Sequence, residues 1–416
     1  RSHGLDVSNI MALGSLNKDG TVLPALSTYA SLISARDAGF KYAIVSDQEA
    51  DVDVEGITVV KVKNLREAFE CLQRILNGQV ESEADKEVEV TEDCASFENN
   101  VGTHNLDDWD NADFKYAMAI AAASRLNMLV IGSPGCGKTP MTRCMQEITP
   151  DLMASEKSSC ERIYSIAGLS RVRMRPFRTP HQTAGIEGIC GGGMNCRPGE
   201  ISLANNGALF LDEAAEFRSS VLQMLRVPLE NHSVCLSRAG RTTVYPADFQ
   251  LLMTTNPCPC GNYGSKDKIC LCSYQSINNY WRKFSAPLLD RMDIRYVMGI
   301  TSVVPPSDFD SSVEGIRKLV KRAWEAQLKR QGKLNRDLSV TDTASILNTP
   351  DRITSDALTL IEREGTRYGF GIRARVSIVK ISQTVADMRG LDKIDADCIR
   401  IGVELRKVAD TLPPEL

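Results

Sequence analysis

The sequence has no long apolar run. A membrane helix needs roughly 18 consecutive apolar residues, and the longest stretch here lies around Ala117–Ala123. No membrane-spanning protein is expected, and no segment at the start reads as a secretory leader. Net charge is also small: 49 basic and 53 acidic residues leave −4. That excludes coating nucleic acid through bulk charge and leaves room for local basic loops. Histidine is scarce, and the four (His3, His104, His181 and His232) have no metal-ligand spacing. Cysteine is not scarce, but 13 is an odd number and the residues are scattered. Reduced thiols in the cytoplasm fit better than a disulfide scaffold. At 416 residues, 43% hydrophobic and 25% charged, the chain is globular in composition. It is too long for one ordinary domain, so two or three are expected.

Residues 1–78 read as a small α/β unit. Ile10–Leu13 is apolar, Asn17-Lys18-Asp19-Gly20 is a turn signal, and Thr21–Leu23 follows, which predicts a hairpin. Ser27–Ala38 has helical periodicity closed by Gly39. Tyr42–Val45 and Ile57–Val62 are strand-like, and Leu65–Leu76 is an amphipathic helix. Between Glu81 and Asp113 stand 12 acidic residues and a single lysine, Lys86. Such a stretch buries too little apolar surface to fold alone, so 79–111 is expected to be an acidic linker. From 112 to 304 strands and helices alternate, which implies an α/β fold: a parallel sheet with helices on its faces. Residues 305–416 are almost entirely helical in pattern.

Gly132-Ser133-Pro134-Gly135-Cys136-Gly137-Lys138-Thr139 fits G-x-x-x-x-G-K-[ST] and stands between a buried strand and a helix. The glycines let backbone N–H groups turn inward around phosphate oxygens. Lys138 is expected to reach the β/γ-phosphates and Thr139 to ligate Mg²⁺. Downstream, the apolar strand Ala208–Leu211 ends in Asp212-Glu213. Asp212 suits Mg²⁺, and Glu213 suits a general base that activates water. Leu251–Asn256 is another buried strand ending in an amide; Asn256 either positions that water or is a turn residue. Arg291, between Asp290 and Asp293, is either an arginine finger reaching a neighbouring subunit or half of an intrachain ion pair. Finally, Cys258-x-Cys260 and Cys270-x-Cys272 place four thiols within 15 residues. Four thiolates suit tetrahedral Zn²⁺, although the pairs are tighter than the usual spacing; the other reading is a loop of reduced cysteines.

Together, Gly132–Thr139, Leu209–Glu213, Asn256 and Leu289–Asp293 resemble the AAA+ ATPases. Pro176–His181, Gly191–Gly193, Arg197–Ala204, Asn256–Gly261 and Gln327–Gln331 narrow the resemblance to the Mg-chelatase-like ComM (YifB) family, over essentially the whole chain. The resemblance implies an AAA+ P-loop core, an α-helical lid over 305–416 and a small Lon-protease-like lobe, of which 1–78 is only the second part. It implies a hexameric, ATP- and Mg²⁺-dependent motor that acts on DNA without sequence preference. Branch migration or helicase-like work in natural transformation and recombination is the implied task. By the same resemblance Arg291 acts in trans, and Arg373 is the lid arginine that touches the γ-phosphate. Arg375 is its nearest rival, and whether Arg373 serves its own or a neighbouring nucleotide stays open. Two other functions stand beside this one: a chelatase motor subunit driving metal insertion through a partner, and a nonmotor ATP-binding scaffold.

The chain departs from the family pattern in places. Tyr29 stands near the position where active Lon proteases carry a catalytic lysine, so no proteolysis is expected. Asp110-Asn111 replaces a Gly-Gln pair ahead of the P-loop. Two basic segments fall where this clade lines its central channel: Arg171, Arg173, Arg175 and Arg178, and the hairpin carrying Arg238 and Arg241. Such arginines would grip DNA phosphates without reading sequence; otherwise they are ordinary solvated side chains.

Overall fold

The computed structural model describes residues 7–25, 27–49, 52–80, 106–238, 241–265 and 268–407. Most of the expected acidic linker, residues 81–105, lies outside that set. The chain divides into two units. The first comprises the described residues up to position 98 together with Met153–Arg173; the second comprises the rest.

The first unit opens with β1 (Ile10–Ala12), β2 (Ser15–Leu16), β3 (Val22–Leu23), α1 (Thr28–Asp37), β4 (Tyr42–Ser46), β5 (Thr58–Val62) and α2 (Leu65–Leu76). A parallel sheet runs β1-β4-β5. The hairpin expected from Ile10–Leu13 forms one turn later instead, with β2 pairing β3. The reason is packing: Ile10 faces one apolar cluster and Met11 the other, so β1 is taken up by a sheet covered on both sides. Asn64 caps α2 by accepting the Glu67 amide at 2.9 Å.

The second unit begins with α3 (Ala112–Ser124), β6 (Met128–Ile131), α4 (Lys138–Arg143) and α5 (Met145–Ile148). The chain then crosses to the first unit as α6 (Ala154–Ala167). This helix lies within the span expected for the ATPase core, yet its partners are on α1. Glu161 accepts from the Tyr29 hydroxyl at 2.8 Å, Ser165 from the Ala30 amide at 3.1 Å, and Arg162 pairs with Asp37. Burial, reinforced by Glu161, pushes the Tyr29 phenol up to about 12.

Back in the second unit come β7 (Phe177–Arg178), α7 (Ile186–Cys190), β8 (Gly191–Gly192), β9 (Arg197–Pro198), α8 (Glu200–Leu203) and β10 (Ala208–Leu211). They are followed by α9 (Ser219–Met224), α10 (Pro228–Asn231), β11 (Ser233–Arg238), β12 (Arg241–Pro246), β13 (Gln250–Thr255), α11 (Tyr274–Trp281), α12 (Ala286–Leu289) and β14 (Ile294–Val297). The sheet order is β14-β6-β13-β10-β7, all parallel. Side chains alternate along each strand between two cores. Met128, Val130, Phe210, Leu252, Ile294 and Tyr296 enter one core; Leu129, Ile131, Leu209, Leu211, Leu251 and Met253 enter the other. Both faces are covered, as the near-continuous apolar runs require. This is the AAA+-type α/β arrangement, and it gathers the carboxyl ends of β6, β10 and β13 at one edge.

Helices α13 (Val313–Gln331), α14 (Val340–Asn348), α15 (Ser355–Arg367), α16 (Ile372–Arg389) and α17 (Ala396–Arg406) complete the unit. They are anchored by buried polar groups: Trp324 Nε1 donates to Ala122 O at 3.1 Å and Gln327 Nε2 to Ala123 O at 2.9 Å. The last residues of the expected linker belong here too, since Leu106 is fully buried and Asp107 accepts the Val313 amide. Among the described residues no helix is long and apolar enough to cross a membrane.

Candidate active site

Parallel sheets of this kind present ligand sites beyond the carboxyl ends of their strands. The P-loop follows β6, with Gly135 at φ +82° and Gly137 at φ +85°, the left-handed region that glycine enters without strain. Gly137 then opens α4, which sets the helix amino terminus at the end of the loop. Lys138 is buried, and its ammonium donates to Asn256 Oδ1 at 2.8 Å and Ser133 O at 3.2 Å. Burial lowers its pKa, against the pull of Cys136, Asp212 and Glu213. Both hydrogen-bond acceptors are neutral; a phosphate would give this cation the hydrogen-bonded anion it lacks.

Thr139 and Asp212 converge as hydroxyl and carboxylate. Thr139 Oγ1 lies 2.7 Å from Asp212 Oδ1, a donor pair suited to a hard, oxygen-seeking cation. The structure adds a residue that the sequence reading missed. Thr254 Oγ1, fully buried on β13, donates to the same Asp212 oxygen at 2.6 Å and accepts the Glu213 amide at 3.0 Å. One hydroxyl thus ties both acidic residues to the neighbouring strand. Glu213 itself sits at φ 50°, ψ 52°, a left-handed conformation that costs a non-glycine residue about 1–3 kcal/mol and needs such anchoring. Gln182 was also missed. Its Nε2 donates to Glu213 Oε2 at 3.0 Å from the loop after the edge strand β7. No local pattern marks either residue, because both meet the site only through strand adjacency.

On the other side of the P-loop stands Trp109. A Cβ built on Gly137 would lie 2.6 Å from its ring, and its Nε1 is buried without a hydrogen-bond partner. An orphaned donor beside the P-loop, together with the buried Lys138 ammonium, fits a nucleotide. Asn111, of the Asp110-Asn111 pair ahead of the P-loop, caps α3 by accepting the Phe114 amide at 3.0 Å.

The two expected arginines come together. Arg291, 9% exposed at its side chain, pairs with Glu230 at 2.6 Å and donates to Pro287 O. Arg373 approaches the other oxygen of the same carboxylate at 3.6 Å. Arg291, hydrogen-bonded to Glu230 and aided by Arg373, holds that carboxyl below its ordinary range. Neither of the expected partners, Asp290 and Asp293, takes Arg291: Asp293 accepts from Ser377 of α16 at 2.6 Å, and Asp290 faces Arg406 of α17. The lid is therefore bonded to the segment that carries Arg291. The rival Arg375 instead lies over Gly365 of α15.

The basic segments separate. Arg175, 5% exposed, donates to the carbonyls of Pro150, Asp151 and Asn206. It is a structural arginine, and the expectation of a DNA contact there is corrected. Arg178 pairs with Glu200 through two bonds of 2.7 and 2.8 Å. Arg171 and Arg173 are exposed in the first unit, with Arg171 over the Tyr29 ring at 4.5 Å. Arg238, exposed on β11, pairs with Glu187 of α7 at 3.3 Å; the Arg241 side chain lies outside the described residues. That β11–β12 hairpin packs beside the shorter β8–β9 hairpin, whose turn carries Met194, 87% exposed. His181 accepts the Thr183 amide.

The four cysteines also meet. Their sulfurs all lie within 4.8 Å of one another. The Asn262 amide, followed by neighbouring thiols, lowers the Cys260 thiol to about 6.

The family described as "Magnesium chelatase, subunit ChlI" matches residues 107–303, and its C-terminal family matches 310–406. The Competence protein ComM of Haemophilus influenzae is 32% identical over 403 residues, covering 93% of this chain and 74% of that protein. YifB of Escherichia coli is 36% identical over 307 residues, covering 71% and 58%. The uncharacterized protein Rv2897c of Mycobacterium tuberculosis is 30% identical over 413 residues, covering 96% and 79%.

Proposed function

This chain belongs to the Mg-chelatase-like ComM/YifB family of AAA+ proteins, and on that premise we propose that it is an ATP-hydrolysing motor that acts on DNA as a ring of six copies. The observation that carries the ATPase reading is the convergence of Lys138, Thr139, Asp212, Glu213 and Asn256 at three adjacent strand ends. Lys138 exchanges its neutral acceptors for β/γ-phosphate oxygens. Thr139 and Asp212 would hold Mg²⁺, which would supply neutralisation of phosphate charge. Glu213 takes a proton from the attacking water, and Asn256 orients that water. Gln182 must first release the Glu213 carboxylate, because a donated hydrogen bond lowers its basicity.

Arg291 and Arg373 share Glu230 rather than the Lys138 cluster. This supports both arginines serving a neighbouring copy's nucleotide, with Glu230 standing in for phosphate until the ring assembles. Lid movement then reaches Arg291 through Ser377–Asp293 and Arg406–Asp290. The paired hairpins bearing Arg238 and Met194 are the parts proposed to face DNA. The relative named for competence supports work on incoming DNA during natural transformation, as branch migration or unwinding.

The chelatase families matched also favour a second reading, a motor that drives metal insertion through a partner. One experiment separates the two: ATP turnover with branched, single-stranded or duplex DNA, or with a chelatase partner subunit, and particle size measured in ATP. Stimulation by DNA with six-fold assembly supports the DNA motor. Stimulation by the chelatase partner alone refutes it.

A further inference from the structure

Pro257 to Ser273 contains no helix or strand among its described residues. It is thinly anchored by apolar burial: Ile269 is 82% and Leu271 89% exposed, while among the described residues Pro257, Cys258 and Gly261 are buried. Yet the segment brings four sulfurs to one point. Cys258 Sγ lies 3.4 Å from Cys260 Sγ and 3.7 Å from Cys270 Sγ, and Cys260 lies 3.6 Å from Cys270. A tetrahedral ion with Zn–S bonds of about 2.3 Å separates its sulfurs by about 3.8 Å. A disulfide would need about 2.05 Å, and all four cysteines are free. An iron–sulfur cluster would insert sulfide between its ligands and spread them wider. The turn is built for sulfur ligation: Gly261 is left-handed at φ +76°, and the Tyr263 amide donates to Cys258 Sγ at 3.3 Å.

We propose that Cys258, Cys260, Cys270 and Cys272 hold one Zn²⁺ as a tetrathiolate, and that this centre clamps the Asn256–Gly261 turn against the P-loop. Binding sends the thiol protons to solvent and leaves the site with two net negative charges. The clamp has a visible contact. Gly261 packs so closely on Pro134 that a Cβ there would lie 2.3 Å from the proline Cδ. On the same turn Asn256 accepts from Lys138, and Pro257 O accepts from Trp281 Nε1 at 3.0 Å. Loosening the cysteine loop therefore loosens both the amide that holds Lys138 and one wall of the P-loop.

The metal site stands on its own geometry; its coupling to turnover rests on the ATPase reading above. The test has two arms for that reason. Whole chain is purified in reducing, chelator-free buffer without metal-affinity resin, and zinc is counted by elemental analysis. The metal is then exchanged for Co²⁺ and the thiolate-to-cobalt and d–d absorption bands are recorded. One ion per chain with tetrahedral cobalt bands is expected, and the Cys270→Ser/Cys272→Ser double variant should lose both. No zinc above buffer background and no cobalt bands on the parent chain overturn the site. In the second arm, zinc is stripped and returned while ATP turnover is followed. A reversible fall of about tenfold or more is expected, as small misplacements of positioning groups produce. Unchanged turnover in stripped protein overturns the clamp, while absent turnover in zinc-loaded protein refutes the ATPase reading and leaves the metal site intact.

Discussion

Replacing Thr254 with valine removes one hydroxyl and changes little else in shape. That hydroxyl donates to Asp212 at 2.6 Å and accepts from the Glu213 amide at 3.0 Å, in a fully buried position. Losing a hydrogen bond to a charged group costs about 1.5–3 kcal/mol, and a buried unpaired amide about 1–3 kcal/mol. Some of that loss falls on folding, and Tm should drop by about 5 °C. The rest falls on the alignment of Asp212 and Glu213. If half of about 3 kcal/mol is felt in the transition state, turnover at saturating ATP falls about tenfold. Thr254→Ser keeps the hydroxyl and should stay close to the parent. Phosphate release gives turnover, and a fluorescent ATP analogue gives affinity, which should change little. Turnover of Thr254→Val within twofold of the parent would refute the assignment of Thr254 as a positioning residue.

Gln182→Ala frees the Glu213 carboxylate and should raise basal turnover about fivefold, the equivalent of one net hydrogen bond of about 1 kcal/mol; a fall in turnover would contradict the restraint. Arg238→Ala with Arg241→Ala should weaken DNA binding and DNA-stimulated turnover while leaving ATP affinity unchanged; unaltered DNA binding would remove the hairpin from the DNA path. Asp248 is a hub for His232, Arg336 and Arg125. Burial would raise its pKa, but these partners outweigh it and hold the carboxyl below its ordinary range. The sign follows: a depressed folded pKa gives stability that is present above about pH 4, the unfolded value, and is lost as pH falls below it. Asp248→Asn should therefore cost about 1.5–3 kcal/mol at neutral pH, with the gap to the parent closing below about pH 4. Urea titrations at both pH values read this directly, and an equal gap at both would contradict it.

The P-loop, the Asp212-Glu213 pair and Asn256 were legible because each stands at the end of an apolar strand, where local pattern and chemistry coincide. The two-sided sheet was legible for the same reason. Thr254, Gln182 and Trp109 were not, since each reaches the site through a neighbouring strand or loop far away in sequence. Arg291 shows the opposite difficulty. Its flanking acids suggested an ion pair, but the partner is Glu230, while Asp290 and Asp293 bind the lid. The basic run divides: the chain passes between units within it, and Arg175 turns inward to three carbonyls. Helix α6 carries too little apolar periodicity to announce which unit it joins.

The central claim is that Glu213 activates water against ATP held by Lys138. Single-turnover hydrolysis of bound ATP by the parent chain and by Glu213→Gln, with affinity measured on the same samples, tests it most directly. Equal affinity with hydrolysis slowed at least about a hundredfold, the scale of a lost general base, is the predicted result. Equal rates, or no ATP binding by either protein, would contradict the account.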